Sequence, residues 1–495
     1  MKVITQLRQL IDASLGAFEA ELSAHSLPDL DFNPIAHPLD NPDYLTPPKL
    51  FEARRAALSG LSMLTTLIKP AYQTAAVEGP CGSALVAAYA VAIEFDIATL
   101  LADASVDANV GVSATVLGKK CGVDSAKLAR MLRILTSEGV FFTELSEGVF
   151  ANKQVCRISL ALVGPSDCRS WAWLGALVNA KAHLALPDHL RDPRGRLGFN
   201  IAFDCEAEFF PWVTVAGLLN DYPYEKLPEG TQLVDVAGGQ GSMSFPIIAK
   251  HKQLTLTIQD QAHVLAAAQA NWEKSWAQDV ASDRFSLQAH DFLTPNPIRG
   301  DNVVHMMRWV THDWPDAVCV EILKNLRSGM SHKSRLLIME IVITPPVPST
   351  VSIDDYLTAL SSVDNDAPYS PLVLPAPLPV NGVSVAARFS KSADSWRSLL
   401  STHLMQRTEV MLDANMMSLF DSQERTIEQL QRILDAADLE LIKVHRTRGM
   451  LHISEVVIKG ASGTRSESNG DAGSAIAESS TGNRAGASGQ CHQHS

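Results

Sequence analysis

Residues 232–241 read QLVDVAGGQG, from Gln232 through Asp235 and Ala237 to Gly238, Gly239 and Gly241. Leu233–Val236, apolar but for Asp235, has strand character, and a glycine turn follows after Ala237. Such a turn lets backbone approach a ligand closely, and the N-terminus of a following helix offers unpaired N–H groups. FPIIAKHK then supplies a helical pattern, and LTLTIQD a second strand ending at Asp260. An acidic residue at that strand end can accept hydrogen bonds from both ribose hydroxyls of a nucleoside. Outward from this core, RFSLQAHDF, DNVVHMMRWV and SRLLIMEIVI read as further strands, with HVLAAAQANWEKSW a helix between them. The alternation predicts an α/β domain, a parallel sheet with helices on both faces. Its ligands are expected at the carboxyl ends of the strands.

Three further features fall at those strand ends. Asp291-Phe292 follows the third strand; the carboxylate can bond an adenine amino group and the ring can stack on it. RWVTHDWPD ends the fourth strand and places His312 where strand meets loop. A histidine near its ordinary pKa is a competent base at neutral pH. Glu340 ends the fifth strand, LLIMEIVI, where a buried carboxylate needs a partner. Glu424 precedes the helix TIEQLQRILDAADL, where the plain reading is a charge near a helix N-terminus. Either glutamate could hold a histidine in one tautomer and stabilise its protonated form.

The remaining chain divides by composition. Residues 1–82 carry helical patterns broken by a proline-rich stretch from Pro28 to Pro48. Residues 84–160 read as helices followed by the hairpin VFFTELSEGVFANK, turning at Glu147-Gly148. Helix, turn, helix and hairpin make a winged-helix pattern, but Lys127, Arg130 and Arg133 are a modest basic set for reading DNA. Residues 345–381 hold eight prolines and interrupt the strand–helix alternation, as a functional lid or a disordered loop would. Residues 461–495 are Gly/Ser/Ala-rich and cannot bury enough surface to offset chain entropy; the closing Cys491, His492 and His494 read as solvated rather than as metal ligands. We expect three parts: a helical, winged-helix-like region over 1–165, the α/β domain over 166–460, and a disordered tail over 461–495.

Composition narrows the function classes. The formal net charge is −13, which argues against a general nucleic-acid binder. The longest apolar stretch, Ser83 to Ala102, is interrupted by Glu94 and Asp96 and reads as buried helix rather than a membrane span. Seven scattered cysteines without a C-x-x-C pair fit free thiols in a reducing compartment, with the cytoplasm as the default location and no metal site.

LELIKVHR and MLHISEVVIKG form a closing hairpin around Gly449, the usual ending of a class I methyltransferase sheet rather than of a dinucleotide-binding Rossmann domain. DVAGGQG, DQAHVL, HDF, RWVTHDWPD, LLIMEIV and LFDSQERT occur in an order that resembles the S-adenosylmethionine (SAM)-dependent O-methyltransferases of the caffeate O-methyltransferase-like family, whose fungal members often modify polyketide phenols. The resemblance covers roughly residues 84–460. It implies a class I methyltransferase (Rossmann-like) sheet with an N-terminal helical, winged-helix dimerisation domain. It implies SAM as cofactor, a small aromatic acceptor and a homodimer. It implies His312 as the general base, with Glu340 and Glu424 flanking and orienting it. Asp260 would bind the SAM ribose, Asp291 and Phe292 the adenine end, Gly238 and Gly239 the methionine side, and Arg308 would stand near the cofactor. Asp313 would face the substrate, and Trp171, Trp173, Phe199, Met306 and Trp309 would wall the pocket.

Two departures stand out. Ala237 replaces the first glycine of the family's turn, which a methyl group tolerates only at negative φ, and Gln240 replaces the usual threonine. The rival reading keeps the fold and SAM but catalyses a pericyclic rearrangement without methyl transfer.

Overall fold

The computed structural model describes residues 3–30, 37–40, 44–70, 79–104, 110–137, 142–152, 215–343, 350–376, 413, 416–417, 422–449 and 451–461. The first two helices, α1 (Val3–Ala24) and α2 (Pro48–Ile68), pack as a hairpin. Pro48 stands at the first turn of α2, where its missing N–H costs nothing. Leu7, Leu10, Ile11 and Phe18 of α1 meet Leu50, Ala53, Ala56 and Met63 of α2.

A second cluster follows. Helices α3 (Gly79–Glu94) and α4 (Ile97–Ala104), strand β1 (Val112–Ser113), helices α5 (Ala114–Cys121) and α6 (Ser125–Ser137), and strands β2 (Phe142–Ser146) and β3 (Val149–Asn152) share one apolar core. Ser113 caps α5 by accepting from the Val116 N–H, and Gly122 ends it at φ +69°. Asp124 accepts from the Lys127 N–H at the start of α6. The three short strands form one antiparallel sheet in the order β1-β3-β2.

The large sheet has seven strands: β4 (Gln232–Val236), β5 (Thr255–Asp260), β6 (Phe285–Ala289), β7 (Val303–Arg308), β8 (Arg335–Glu340), β11 (Leu439–His445) and β12 (His452–Ile458). They lie in the order β6-β5-β4-β7-β8-β12-β11. The first five are parallel, and β12 and β11 close the sheet antiparallel. This is the class I methyltransferase order. Alternate residues face opposite cores, as a pleated strand requires. On β7, Val304 and Met306 join one core cluster, while Val303 and Met307 join the other. Met306, expected at the pocket wall, is therefore a core residue, 1% exposed. Trp171, Trp173 and Phe199 lie outside the described residues.

The proline-rich segment differs from the lid or loop expected of it. Its described part, 350–376, contains helix α11 (Ile353–Ser361; α7 to α10 are Val215–Asn220, Ser244–Lys250, Ala262–Asn271 and Asp316–Arg327). Ser352 caps α11 by accepting from the Asp355 N–H. Ile353, Tyr356, Leu360 and Leu374 enter the core of the α1–α2 hairpin. The Tyr356 hydroxyl donates to the Glu52 carbonyl and the Tyr369 hydroxyl to the Glu52 carboxylate, 2.8 Å away. Prolines flank the helix without entering it, so apolar spacing at 353, 356 and 360 decides the outcome.

Candidate active site

The carboxyl edge of the sheet assembles the site. At the end of β4, Ala237 has φ +57°, in the left-handed region. That overturns the expectation of negative φ: the small left-handed well is open to an L-residue at a cost. Gly238 is required for a different reason. A Cβ there would stand 2.6 Å from the Asp235 carboxyl carbon. Gly239, at φ +56°, donates its N–H to Asp260 Oδ2 at 2.9 Å. Gly241, at φ +70°, passes against Ile258 and Phe245, leaving no room for a side chain.

Asp260 thus sits against the glycine turn, its other oxygen accepting from the Gln261 N–H at 2.7 Å. A carboxylate has about four lone-pair sites, so both oxygens retain acceptor capacity for ribose hydroxyls. Asp291 is exposed after β6 and accepts from the Leu293 N–H. Phe292 is half-buried and meets Trp314 edge-on, ring centroids 6.0 Å apart. Arg308 reaches Ser242 Oγ at 3.4 Å. It also lies close enough to Asp235 to oppose the effect of burial, which pushes that carboxyl up to about 6. A glycine turn, an acidic strand end and an aromatic pair along one edge fit an adenosine ligand with a charged tail.

His312 lies in a 3-10 turn, Thr311–Asp313, and is 4% exposed. Its Nδ1 is 2.9 Å from Glu424 Oε1, a partner 112 residues later in the chain. Its Nε2 is 3.4 Å from Asp313 Oδ1. Trp309, at φ +59°, packs edge-on against the imidazole at 4.8 Å. Burial alone pulls the imidazole pKa down, but Glu424, then Asp313 and Glu340, outweigh it and raise it to about 9. This departs from the near-ordinary value expected from sequence. The ring keeps its proton at neutral pH in this arrangement.

Glu340 behaves differently from the expectation. It does not touch the imidazole. Its Oε1 accepts from the backbone N–H of Val310, Thr311 and His312, and its Oε2 from the Thr311 hydroxyl. The reason is geometric: β8 lies beside β7, so the end of one strand meets the backbone leaving the other. Glu340 fixes the turn; Glu424 holds the ring. Glu424 gets there because β10 (Arg425–Thr426) runs parallel to β9 (Val342–Ile343), directly after β8.

Sequence reasoning missed Arg425 and Ser422. The Arg425 guanidinium donates to the Thr311 and Trp314 carbonyls, 2.7 and 2.9 Å away. Ser422 donates to the His312 carbonyl. Arginine beside Glu424 in QERT was the available signal, but its acceptors are backbone atoms that no side-chain motif displays.

A family model for the O-methyltransferase domain matches residues 191–361. The 4-O-methyltransferase 1 of Phanerochaete chrysosporium is 26% identical, over 89% of this chain and 96% of its own. The sterigmatocystin 8-O-methyltransferase of Aspergillus parasiticus is 36% identical over 25% of this chain and 27% of its own. The chain is an O-methyltransferase, similar over most of its length to fungal O-methyltransferases. Among solved structures, OxaC in complex with sinefungin and meleagrin shares the fold, with TM-score 0.58 and 20% identity over 92% of this chain and 99% of that one. The O-methyltransferase uses SAM as its methyl donor and acts on a small-molecule partner. No single helix among the described residues is long and apolar enough to cross a membrane.

Proposed function

We propose that this O-methyltransferase methylates a phenolic hydroxyl of a secondary metabolite, one of polyketide type, with His312 as the general base. The observation that carries this reading is the buried His312–Glu424 pair at the carboxyl edge of the sheet, Nδ1 to Oε1 2.9 Å. With Nδ1 held, the tautomer and ring plane are fixed, and Nε2 is the nitrogen left to take a proton. An ordinary phenol has a pKa near 10 and is a poor nucleophile at pH 7. When bound, SAM supplies a methyl group on a cationic sulfonium, the electrophile.

The protein's residues do the rest. Asp260 would accept from the ribose hydroxyls, and Phe292 with Asp291 would hold the adenine end. Gly238 and Gly239 would open backbone to the methionine side, with Arg308 near it. His312 acts from its neutral form, which it reaches by losing a proton to solvent before the acceptor is bound. Asp313, beside Nε2, yields that position to the acceptor hydroxyl. His312 then removes the phenol proton, and Glu424 stabilises the imidazolium that results. Burial keeps water away while opposite charges are neutralised.

Residues 1–165 form the dimerisation region in this reading; Leu67 and Ile68 at the end of α2, 51% and 65% exposed, offer apolar surface for a second copy. The enzyme is cytoplasmic. A pericyclic reaction without methyl transfer is the weaker reading, because a buried His312–Glu424 pair is the arrangement that proton removal from an acceptor hydroxyl calls for.

The test is a transfer assay with isotope-labelled SAM and a panel of polyketide phenols. Label enters product with the wild type, and His312→Ala lowers turnover by about 10²–10⁴ while still binding SAM. Equal turnover in the variant refutes His312 as base. Conversion of an acceptor without label or S-adenosylhomocysteine refutes methyl transfer to it.

A further inference from the structure

We propose that Arg425 and Ser422 are positioning residues for His312, so that the short strap 422–425 holds the base by its backbone as well as by its ring. The proposal rests on the reading of His312 as base.

Three carbonyls of the turn that carries the base, those of Thr311, His312 and Trp314, are fastened by this strap. Ser422 Oγ donates to the carbonyl of His312 itself. Arg425 Nη1 donates to the carbonyl of Thr311, one residue before, and Nη2 to that of Trp314, two residues after. Glu424, between them in sequence, takes the imidazole Nδ1. One strap thus reaches both the ring and the backbone of a single turn.

The guanidinium is 3% exposed, and its remaining donors are used as well. Nε and Nη2 reach Asp316 Oδ1 at 3.1 and 2.8 Å, so the buried charge is paired. Cys319, on the same helix as Asp316, donates its thiol to the Thr311 carbonyl at 3.1 Å. A planar fork with five fixed donors can bridge two carbonyls and a carboxylate at once; a lysine ammonium cannot. The strap itself is anchored, since the Glu424 N–H donates to Asp413 Oδ1 at 2.9 Å. Arg425 sends its hydrogen bonds to backbone carbonyls, Asp316 and Cys319, and none to the imidazole. Its effect must pass through the position of His312.

The experiment uses the full-length enzyme with Arg425→Gln, Arg425→Lys and Ser422→Ala, each also in a His312→Asn background. Three readouts are taken: the SAM dissociation constant by calorimetry, kcat and KM from labelled transfer, and the His312 titration followed by ring NMR. Displacement of the base by about an ångström costs on the order of 10²-fold in kcat. We expect that loss for Arg425→Gln and a smaller one for Ser422→Ala. SAM affinity stays within about threefold, and the His312 pKa falls as the ring leaves Glu424. In His312→Asn the second substitution adds little, as for groups acting as one unit. A folded Arg425→Gln with wild-type kcat and wild-type His312 titration overturns the proposal. So does a loss that persists undiminished in the His312→Asn background. Should Arg425→Gln fail to fold, Arg425→Lys and Ser422→Ala decide by the same criteria. Full turnover in His312→Asn alone marks failure of the base assignment, a distinct result.

Discussion

Replacing Glu424 by Gln removes the negative charge that lies 2.9 Å from His312 Nδ1 and keeps the shape of the side chain. The His312 pKa stands at about 9 against an ordinary 6.5, with burial opposing the rise and Glu424 its largest cause. That gap corresponds to about 3 kcal/mol favouring the imidazolium. Without the carboxylate, burial keeps pulling the pKa down while only Asp313 and Glu340 oppose it. We expect the variant to titrate at or below the ordinary value. The base must be neutral to act, so the wild-type kcat/KM rises with pH up to about 9, and the variant's rising limb moves to lower pH. The height of the plateau moves the other way. Glu424 no longer stabilises the imidazolium formed in the transition state, and kcat falls about 10²-fold or more. Stability follows with a definite sign. A pKa raised on folding stabilises the native state fully below pH 6.5, and that contribution is lost as pH rises through about 9. The variant should therefore lose stability at pH 6 and little at pH 10. The assays are a pH–rate profile with labelled SAM and denaturant unfolding at the two pH values. An unmoved rising limb together with equal destabilisation at both pH values refutes the coupling between Glu424 and His312.

Ala237→Gly relieves a left-handed residue at φ +57° and should stabilise the protein by up to about 1 kcal/mol, read as a rise in the denaturant midpoint; a lower midpoint counts against strain at this turn. His305 is fully buried in the apolar core on β7, and neither ring nitrogen has a hydrogen-bond partner among the described residues. Burial lowers its pKa to about 4, so it must stay neutral, and stability is lost as pH falls from 6.5 towards 4. His305→Leu should remove about 3 kcal/mol of that acid dependence, and an unchanged acid limb in unfolding experiments would falsify the assignment.

The legible part of this protein is the part written in local pattern. Leu233–Val236, Leu256–Ile258, Val303–Met307 and Leu336–Met339 are the mostly apolar centres of strands, broken only by Asp235, Thr257 and His305, and the turns after them carry their own chemistry. Their order along the chain fixed which residues share the carboxyl edge. The less legible part concerns what each side chain meets there. Glu340 and Glu424 looked equivalent in sequence, two carboxylates near one histidine. Sheet pairing separates them: Glu340 reaches backbone N–H groups of the neighbouring strand's exit, while Glu424 arrives from 112 residues away onto the ring. The proline-rich segment misleads for a related reason. Proline content describes its ends, whereas its helix is stabilised by apolar contacts with α1 and α2 some 300 residues earlier.

Sequence by itself determined the class I methyltransferase sheet and the candidate residues along its edge, because strand periodicity, glycine turns and strand-end carboxylates are local in the chain. Tertiary structure alone decided their states and partners. It put Ala237 at positive φ, sent Met306 into the core, and raised the His312 pKa by surrounding it with Glu424, Asp313 and Glu340. It also gave Arg425 and Ser422 the task of holding a turn by its carbonyls. Charge, burial and backbone acceptors from distant segments act through space, and only the folded chain brings them within hydrogen-bond distance.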